Sequence, residues 1–136
     1  MECGTDIIEI SRIEESIKKF GDNFTKKMFT KTEIEYCEKY KRAKYEHYAA
    51  RFAAKEAAAK MLGTGFNGEF DFKDIEVTND ELGKPSVKLY NGALSLFNEK
   101  KLKDIKISIS HSKEYAVCMI IGYWQLVNKW YNHCIN

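Results

Sequence analysis

Apolar and polar residues change rhythm several times along this 136-residue chain. Near the amino end, Cys3–Ile10 is β-branched and apolar around Asp6, which predicts a strand. Ile10, Ile13, Ile17 and Phe20 then recur three or four residues apart, the spacing of one helix face. That helix is expected over Ser11–Phe20, with Ser11 as N-cap and Glu14 completing a capping box. Gly21-Asp22-Asn23 breaks it, and Phe24–Phe29 makes a short helical turn. Thr30 or Thr32 caps a third helix running to about Tyr40. Lys41–Lys44 is a basic link, and a long helix follows from about Tyr45 to Leu62.

The second half changes period. Gly63, Gly65 and Gly68 mark an open loop, and Phe70–Phe72 reads as a short extended piece. Ile75–Thr78 is a strand, Asn79–Gly83 a hairpin turn, and Pro85 opens or edges the return strand Ser86–Tyr90. Asn91 caps a helix to about Lys101. Lys106–Ser110 and Tyr115–Ile121 alternate apolar and polar around a turn at His111–Glu114, giving a second hairpin. The expected fold is α+β, an antiparallel sheet packed against the long alanine-rich helix. Residues 1–123 make a single domain. Residues 124–136 are an extension whose Trp124, Leu126, Val127 and Trp130 form an amphipathic helix or a frayed end.

Composition narrows the class. A 44% hydrophobic content suits one core, not two. Twenty-two bases against 20 acids leave +2, so no global field attracts a polyanion. Bases crowd the first third, including Lys18, Lys19, Lys26 and Lys27, as a solvated face or a docking face. No aromatic platforms are interleaved with them, which argues against nucleic acid. No apolar run approaches the roughly 20 residues of a membrane span. The start shows no secretory signal. Four cysteines are widely spaced with no Cys-x-x-Cys pair, so zinc is not expected and a cytoplasmic setting with free thiols is.

The most informative stretch is Arg51–Gly65, RFAAKEAAAKMLGTG. On a helical wheel Phe52, Glu56, Ala59, Lys60 and Gly63 share one face, while Ala50, Ala54, Ala57, Ala58, Met61 and Leu62 face the core. The helix presents Glu56, Lys55 and Lys60 on a rigid rod, either as a solvated face or as a site. Asp6 is unusual within a strand. Its carboxylate must be at an edge, hydrogen-bonded or bound to a cation, unless it belongs to a turn after Gly4. Two carboxylates from separate elements suit Mg²⁺, which takes oxygen ligands and few protein carboxylates. His111 in ISISHSKEY either donates to a phosphate oxygen or is a solvated turn residue. Gly63-Thr64-Gly65 either approaches a phosphate or caps the helix, and it is not a Walker loop.

Four segments together, GTDIIEISRI, RFAAKEAAAKMLGTGF, NDELGKP and ISISHSKEYA, resemble holo-[acyl-carrier-protein] synthase, the small bacterial class of 4′-phosphopantetheinyl transferases. The resemblance covers about residues 4 to 121. It implies an α+β enzyme, assembled as a homotrimer with active sites between subunits. Such an enzyme moves phosphopantetheine from coenzyme A to a serine of acyl carrier protein and releases adenosine 3′,5′-bisphosphate. The implied cofactor is Mg²⁺, with Mn²⁺ as a substitute. The family's metal ligands match Asp6 and Glu56, and its diphosphate lysines match Lys55 and Lys60. Asp6, Glu56 and Lys60 carry the catalysis, and Glu56 or a Mg²⁺-bound water takes the serine proton. Arg51 and His111 are matched to the nucleotide end, the linker residues Arg42 and Lys44 more loosely, and Gly63 is the candidate for a backbone approach to phosphate. Arg12 lies on the helix that docks the carrier protein. Ala59 stands where some members carry serine, and the tail after Ile121 runs beyond the family's usual end.

Overall fold

A computed structural model describes residues 1–124 of the chain. Strand β1 (Glu2–Glu9) runs directly into α1 (Ile10–Phe20), followed by α2 (Asp22–Met28) and α3 (Lys31–Glu38). A 3₁₀ turn at Lys41–Ala43 leads into the 19-residue helix α4 (Lys44–Leu62). A second 3₁₀ turn, Phe72–Asp74, precedes the hairpin β2 (Ile75–Asn79) and β3 (Pro85–Leu89). Helix α5 (Asn91–Glu99) and strands β4 (Asp104–His111) and β5 (Tyr115–Tyr123) complete the described chain. The antiparallel expectation holds, but in two sheets. One is ordered β1-β5-β4 and the other is the β2-β3 hairpin.

Alternation along β5 decides which way the larger sheet faces. Ala116, Cys118 and Ile120 point inward and are fully buried, while Tyr115, Val117 and Met119 point outward and are exposed. Helix α4 lies across the inner face of β1 and β5. Ala53, Ala54, Ala57, Ala58 and Ala59 are all fully buried there. Small side chains let the sheet come close, and Gly4 is the extreme case. A Cβ added to Gly4 would stand 1.9 Å from the Ala57 carbonyl oxygen. The backbones of β1 and α4 therefore touch two residues from Asp6 and one residue from Glu56. Gly63 ends the helix in the left-handed conformation, φ 85°, donating to the carbonyls of Ala59 and Lys60.

Several local expectations give way to tertiary contacts. Ser11 lies inside α1 and caps nothing, because Glu9 is the N-cap residue and makes no side-chain cap bond. The amide of Ile10 instead donates to the Glu114 carbonyl at 2.9 Å, so the turn between β4 and β5 satisfies the helix start. Residues 70–72 form no strand. The Phe72 ring stacks on Phe66 at 3.8 Å and on Phe52 at 5.4 Å, which holds the segment as a turn over α4. Asn91 is the first residue of α5 rather than its cap, and its side-chain amide donates to Asp74 at 2.8 Å. Thr30 does cap α3, through a full capping box with Glu33. Most of the tail, including Leu126, Val127 and Trp130, lies outside the described residues.

Candidate active site

Asp6 sits mid-strand in β1, opposite Cys118 of the central strand β5. Glu56 projects from α4. The Gly4–Ala57 contact brings these two elements together, and both carboxylates line one open cavity of about 360 Å³. Arg12, Ser16, Phe24 and Phe52 line it with them. Lys60, one turn beyond Glu56, donates to Asp6 Oδ1 at 3.0 Å and to the Thr5 carbonyl at 3.0 Å. Asp6 is thus neither an edge residue turned to solvent nor a turn residue. Glu56 has its pKa raised, first by burial and then by the negative charge of Asp6, with Lys60 opposing.

Two acids in a partly dry cleft, with the charge of Asp6 helping to raise the pKa of Glu56, leave a negative site that a cation complements. The donors are carboxylate oxygens, hard ligands suited to Mg²⁺. Among the described residues no group of three or more His, Cys, Asp or Glu is placed to hold a metal, so this chain offers an ion in the cleft few protein ligands. The residues present therefore fit a hard divalent ion that takes its remaining ligands from phosphate and water.

A second, smaller cavity of about 170 Å³ opens between α3, α4, the β2-β3 hairpin and β4. Arg51 and His111, both matched to the nucleotide end, line it together. Arg51 is buried, its guanidinium carbon 4.0 Å from the Tyr36 ring centre and its Nη2 donating to Asn79 Oδ1 at 2.7 Å. Its Nε is buried with no hydrogen-bond partner among the described residues. His111 Nδ1 is 3.6 Å from Glu46 Oε2. Coenzyme-sized ligands need about 300–1,000 Å³. This cavity takes a group, not a whole molecule.

Three matched residues stand apart from these cavities. Lys55 is fully buried, its ammonium 2.7 Å from Glu33 Oε1 and donating to the carbonyls of Phe72 and Ile75. One residue around the helix from Glu56 is about 100° of rotation, and that turns Lys55 toward β2 and α3 instead of the cleft. Burial lowers its pKa and Glu33 opposes the shift. Lys44 pairs with both carboxylate oxygens of Glu38 at 3.4 Å and is absent from the lining of the Arg51 cavity. Gly63 serves as the helix C-cap.

Sequence reasoning missed Glu33, Asn79 and His47. Glu33 is fully buried and accepts from the Thr30 amide at 2.9 Å and the Val77 amide at 3.0 Å as well as from Lys55. Its signal was available, since Thr30-x-x-Glu33 is a capping-box pattern. His47 lines the Arg51 cavity, and its signal was the four-residue spacing to Arg51 on one helix. Asn79 carried no such mark.

The fold and the paired carboxylates define a class. Residues 2–120 match the profile of the 4′-phosphopantetheinyl transferase superfamily. The holo-[acyl-carrier-protein] synthase of Ruminiclostridium cellulolyticum is 46% identical over 121 residues, 89% of this chain and 90% of that protein. The crystal structure of the holo-[acyl-carrier-protein] synthase from Neisseria meningitidis superposes with a TM-score of 0.81 at 30% identity, over 90% of this chain and 97% of that one. The Helicobacter pylori synthase in complex with coenzyme A gives 0.78 at 29% identity, over 89% and 99%. This chain belongs to the holo-[acyl-carrier-protein] synthase family of 4′-phosphopantetheinyl transferases.

Proposed function

We propose that this enzyme transfers the 4′-phosphopantetheine group of coenzyme A to a serine of apo acyl carrier protein, releasing adenosine 3′,5′-bisphosphate, with Mg²⁺ as cofactor. The observation that carries the reading is one cavity lined by Asp6 and Glu56, with Lys60 bonded to Asp6 at its side. Asp6 and Glu56 would hold Mg²⁺, or Mn²⁺ in its place, which when bound neutralises charge on the diphosphate. Lys60 is half exposed and adds a positive charge beside the reacting phosphoryl oxygens. The serine oxygen bonds to the phosphorus bearing pantetheine, the bond to the leaving phosphate breaks, and the hydroxyl proton must be taken up. Glu56, or a water on the bound ion, would take that proton as general base.

Arg51 and His111 receive the 3′-phosphate of the nucleotide in the smaller cavity. Lys55 and Lys44 are given no part in binding, because their ammonium groups are paired with Glu33 and Glu38. Arg12 is exposed on α1 and lines the mouth of the Asp6–Glu56 cavity, so an acidic carrier protein docked there delivers its serine to the reacting group. The outer face of β1 and β5 supports assembly as a homotrimer. Ile7 pairs with Val117 and Thr5 with Met119, and Ile7, Val117 and Met119 are all exposed. Cys37 and Cys118 are buried free thiols, and among the described residues no helix is long and apolar enough to cross a membrane, which suits a cytoplasmic setting.

Incubation with apo carrier protein, coenzyme A and Mg²⁺, read by intact mass, tests the reading. Transfer catalysed at a metal-assisted site adds about 340 Da to the carrier, the mass of the phosphopantetheinyl group. The gain disappears when Asp6 or Glu56 is replaced by alanine. A wild-type enzyme that adds nothing contradicts the proposal.

A further inference from the structure

His47 is the residue of the smaller cavity to which nothing above gives a role. Its ring lies 3.9 Å from the Tyr40 ring, tilted by 32°, and edge-on to Tyr36 at 5.5 Å. Across the cavity it faces His111, ring centres 6.4 Å apart. Arg51 stands one turn further along the same helix. The groups around His47 are Tyr36 of α3, Tyr40 just after α3, Glu46 and Arg51 of α4, and His111 of β4, with Asn79 of the hairpin completing the wall. Among the described side chains facing it, Glu46 is the sole acid and Arg51 the sole permanent cation. Burial holds the His47 pKa below its ordinary value, the charges of Arg51 and His111 add to that, and Glu46 opposes it. Without an anion in the cavity, His47 is therefore neutral near pH 7.

We infer that His47 is a second histidine of the nucleotide-phosphate pocket, and that it takes a proton from solvent when a phosphate monoester dianion enters between it, His111 and Arg51. The inference rests on the reading that this pocket receives the 3′-phosphate. No covalent bond changes. The imidazole gains one proton at its free ring nitrogen, and the resulting cation offers two N–H donors where the neutral ring offered one. The entering dianion offsets the burial and the Arg51 charge that keep the imidazole neutral in the empty pocket. Arg51 also keeps one N–H, at its buried Nε, without a hydrogen-bond partner among the described residues. The tyrosine stack holds the imidazole in place before the ligand arrives.

The sign follows from linkage. Binding raises the His47 pKa, so affinity is greatest below the free-state value and falls as pH rises toward the bound-state value. One fully linked proton is worth up to ~tenfold in affinity per pH unit between those two values. Calorimetric titration with adenosine 3′,5′-bisphosphate, in two buffers of different ionisation heat from pH 6 to 8, reads the proton uptake directly. His47→Phe keeps an aromatic ring against Tyr40 but cannot ionise, and His47→Gln keeps a neutral polar group. Both variants are expected to bind with less proton uptake than wild type and a shallower loss of affinity with pH. 3′-Dephospho-coenzyme A is expected to show no such difference between wild type and variants. Equal proton uptake by wild type and both variants, with bisphosphate affinity retained, overturns the role of His47 and leaves the pocket assignment standing. Equal wild-type affinity for coenzyme A and its 3′-dephospho form would instead remove the 3′-phosphate from this pocket, and the inference with it.

Discussion

Replacing Gly4 by alanine adds one methyl group at the point where β1 meets α4. The new carbon would stand 1.9 Å from the Ala57 carbonyl oxygen, 2.9 Å from the Ala57 carbonyl carbon and 2.9 Å from the Met61 amide nitrogen. Ordinary contact begins near 3.4 Å, so the strand and helix must separate by about 1.5 Å. The obstructing atoms are helix backbone, which cannot rotate aside as a side chain would. Overpacking in a close-packed interior usually costs 1–3 kcal/mol, and rigid atoms place this case at roughly 2–3. For a domain of this size that lowers Tm by roughly 6–15 °C. The functional effect is sharper, because Asp6 rides on β1 and Glu56 on α4. A displacement of about 1 Å between reacting groups can cost 10²-fold in rate. Thermal denaturation and transfer kinetics on Gly4→Ala measure both effects. Stability within about 0.5 kcal/mol of wild type, as for an ordinary surface substitution, together with unchanged turnover would refute the claim that backbone contact at Gly4 sets the spacing of the two acids.

Other consequences concern different parts of the molecule. Lys55→Ala leaves the fully buried Glu33 without its cation and should cost roughly 3–5 kcal/mol in chemical denaturation. A phosphate-binding role for Lys55 would instead show as lost coenzyme A affinity with little change in stability. Arg12→Glu should raise the carrier-protein KM, with the defect shrinking at high salt and coenzyme A affinity unchanged. A change in coenzyme A affinity would move Arg12 into the nucleotide site. Met119→Lys puts a charge on the exposed outer face of β5 and, if that face joins the proposed trimer, should shift the sedimentation profile toward monomer. An unaltered profile would place self-association elsewhere.

What could be read along the chain, and what could not, divides on physical grounds. Helices α1 and α4 follow from apolar spacing and from alanine, because both signals are local. The antiparallel hairpins follow from turn residues flanked by alternating strands. The salt bridge from Lys60 to Asp6 joins residues 54 apart in sequence, and no local rule specifies it. Family resemblance paired Asp6 with Glu56 but not with Lys60, and the Gly4 contact supplies the physical reason that β1 and α4 meet there. Lys55 misled because a lysine beside a glutamate on a helix ordinarily faces water. Only the packing of α3 and β2 over that side of α4 shows that its partner is Glu33. Ser11 failed as a cap for a similar reason, since the turn between β4 and β5 satisfies the first amide of α1. Long-range partners override local propensity in both cases.

The account turns on a divalent ion shared by the strand acid and the helix acid. Titration of the enzyme with Mn²⁺ and saturating coenzyme A, followed by electron paramagnetic resonance, counts that ion without relying on turnover. The expected result is one tightly held ion per chain in wild type, lost in Asp6→Asn and equally in Glu56→Gln, with both variants retaining the wild-type melting profile. Wild-type Mn²⁺ binding by either folded variant would contradict it.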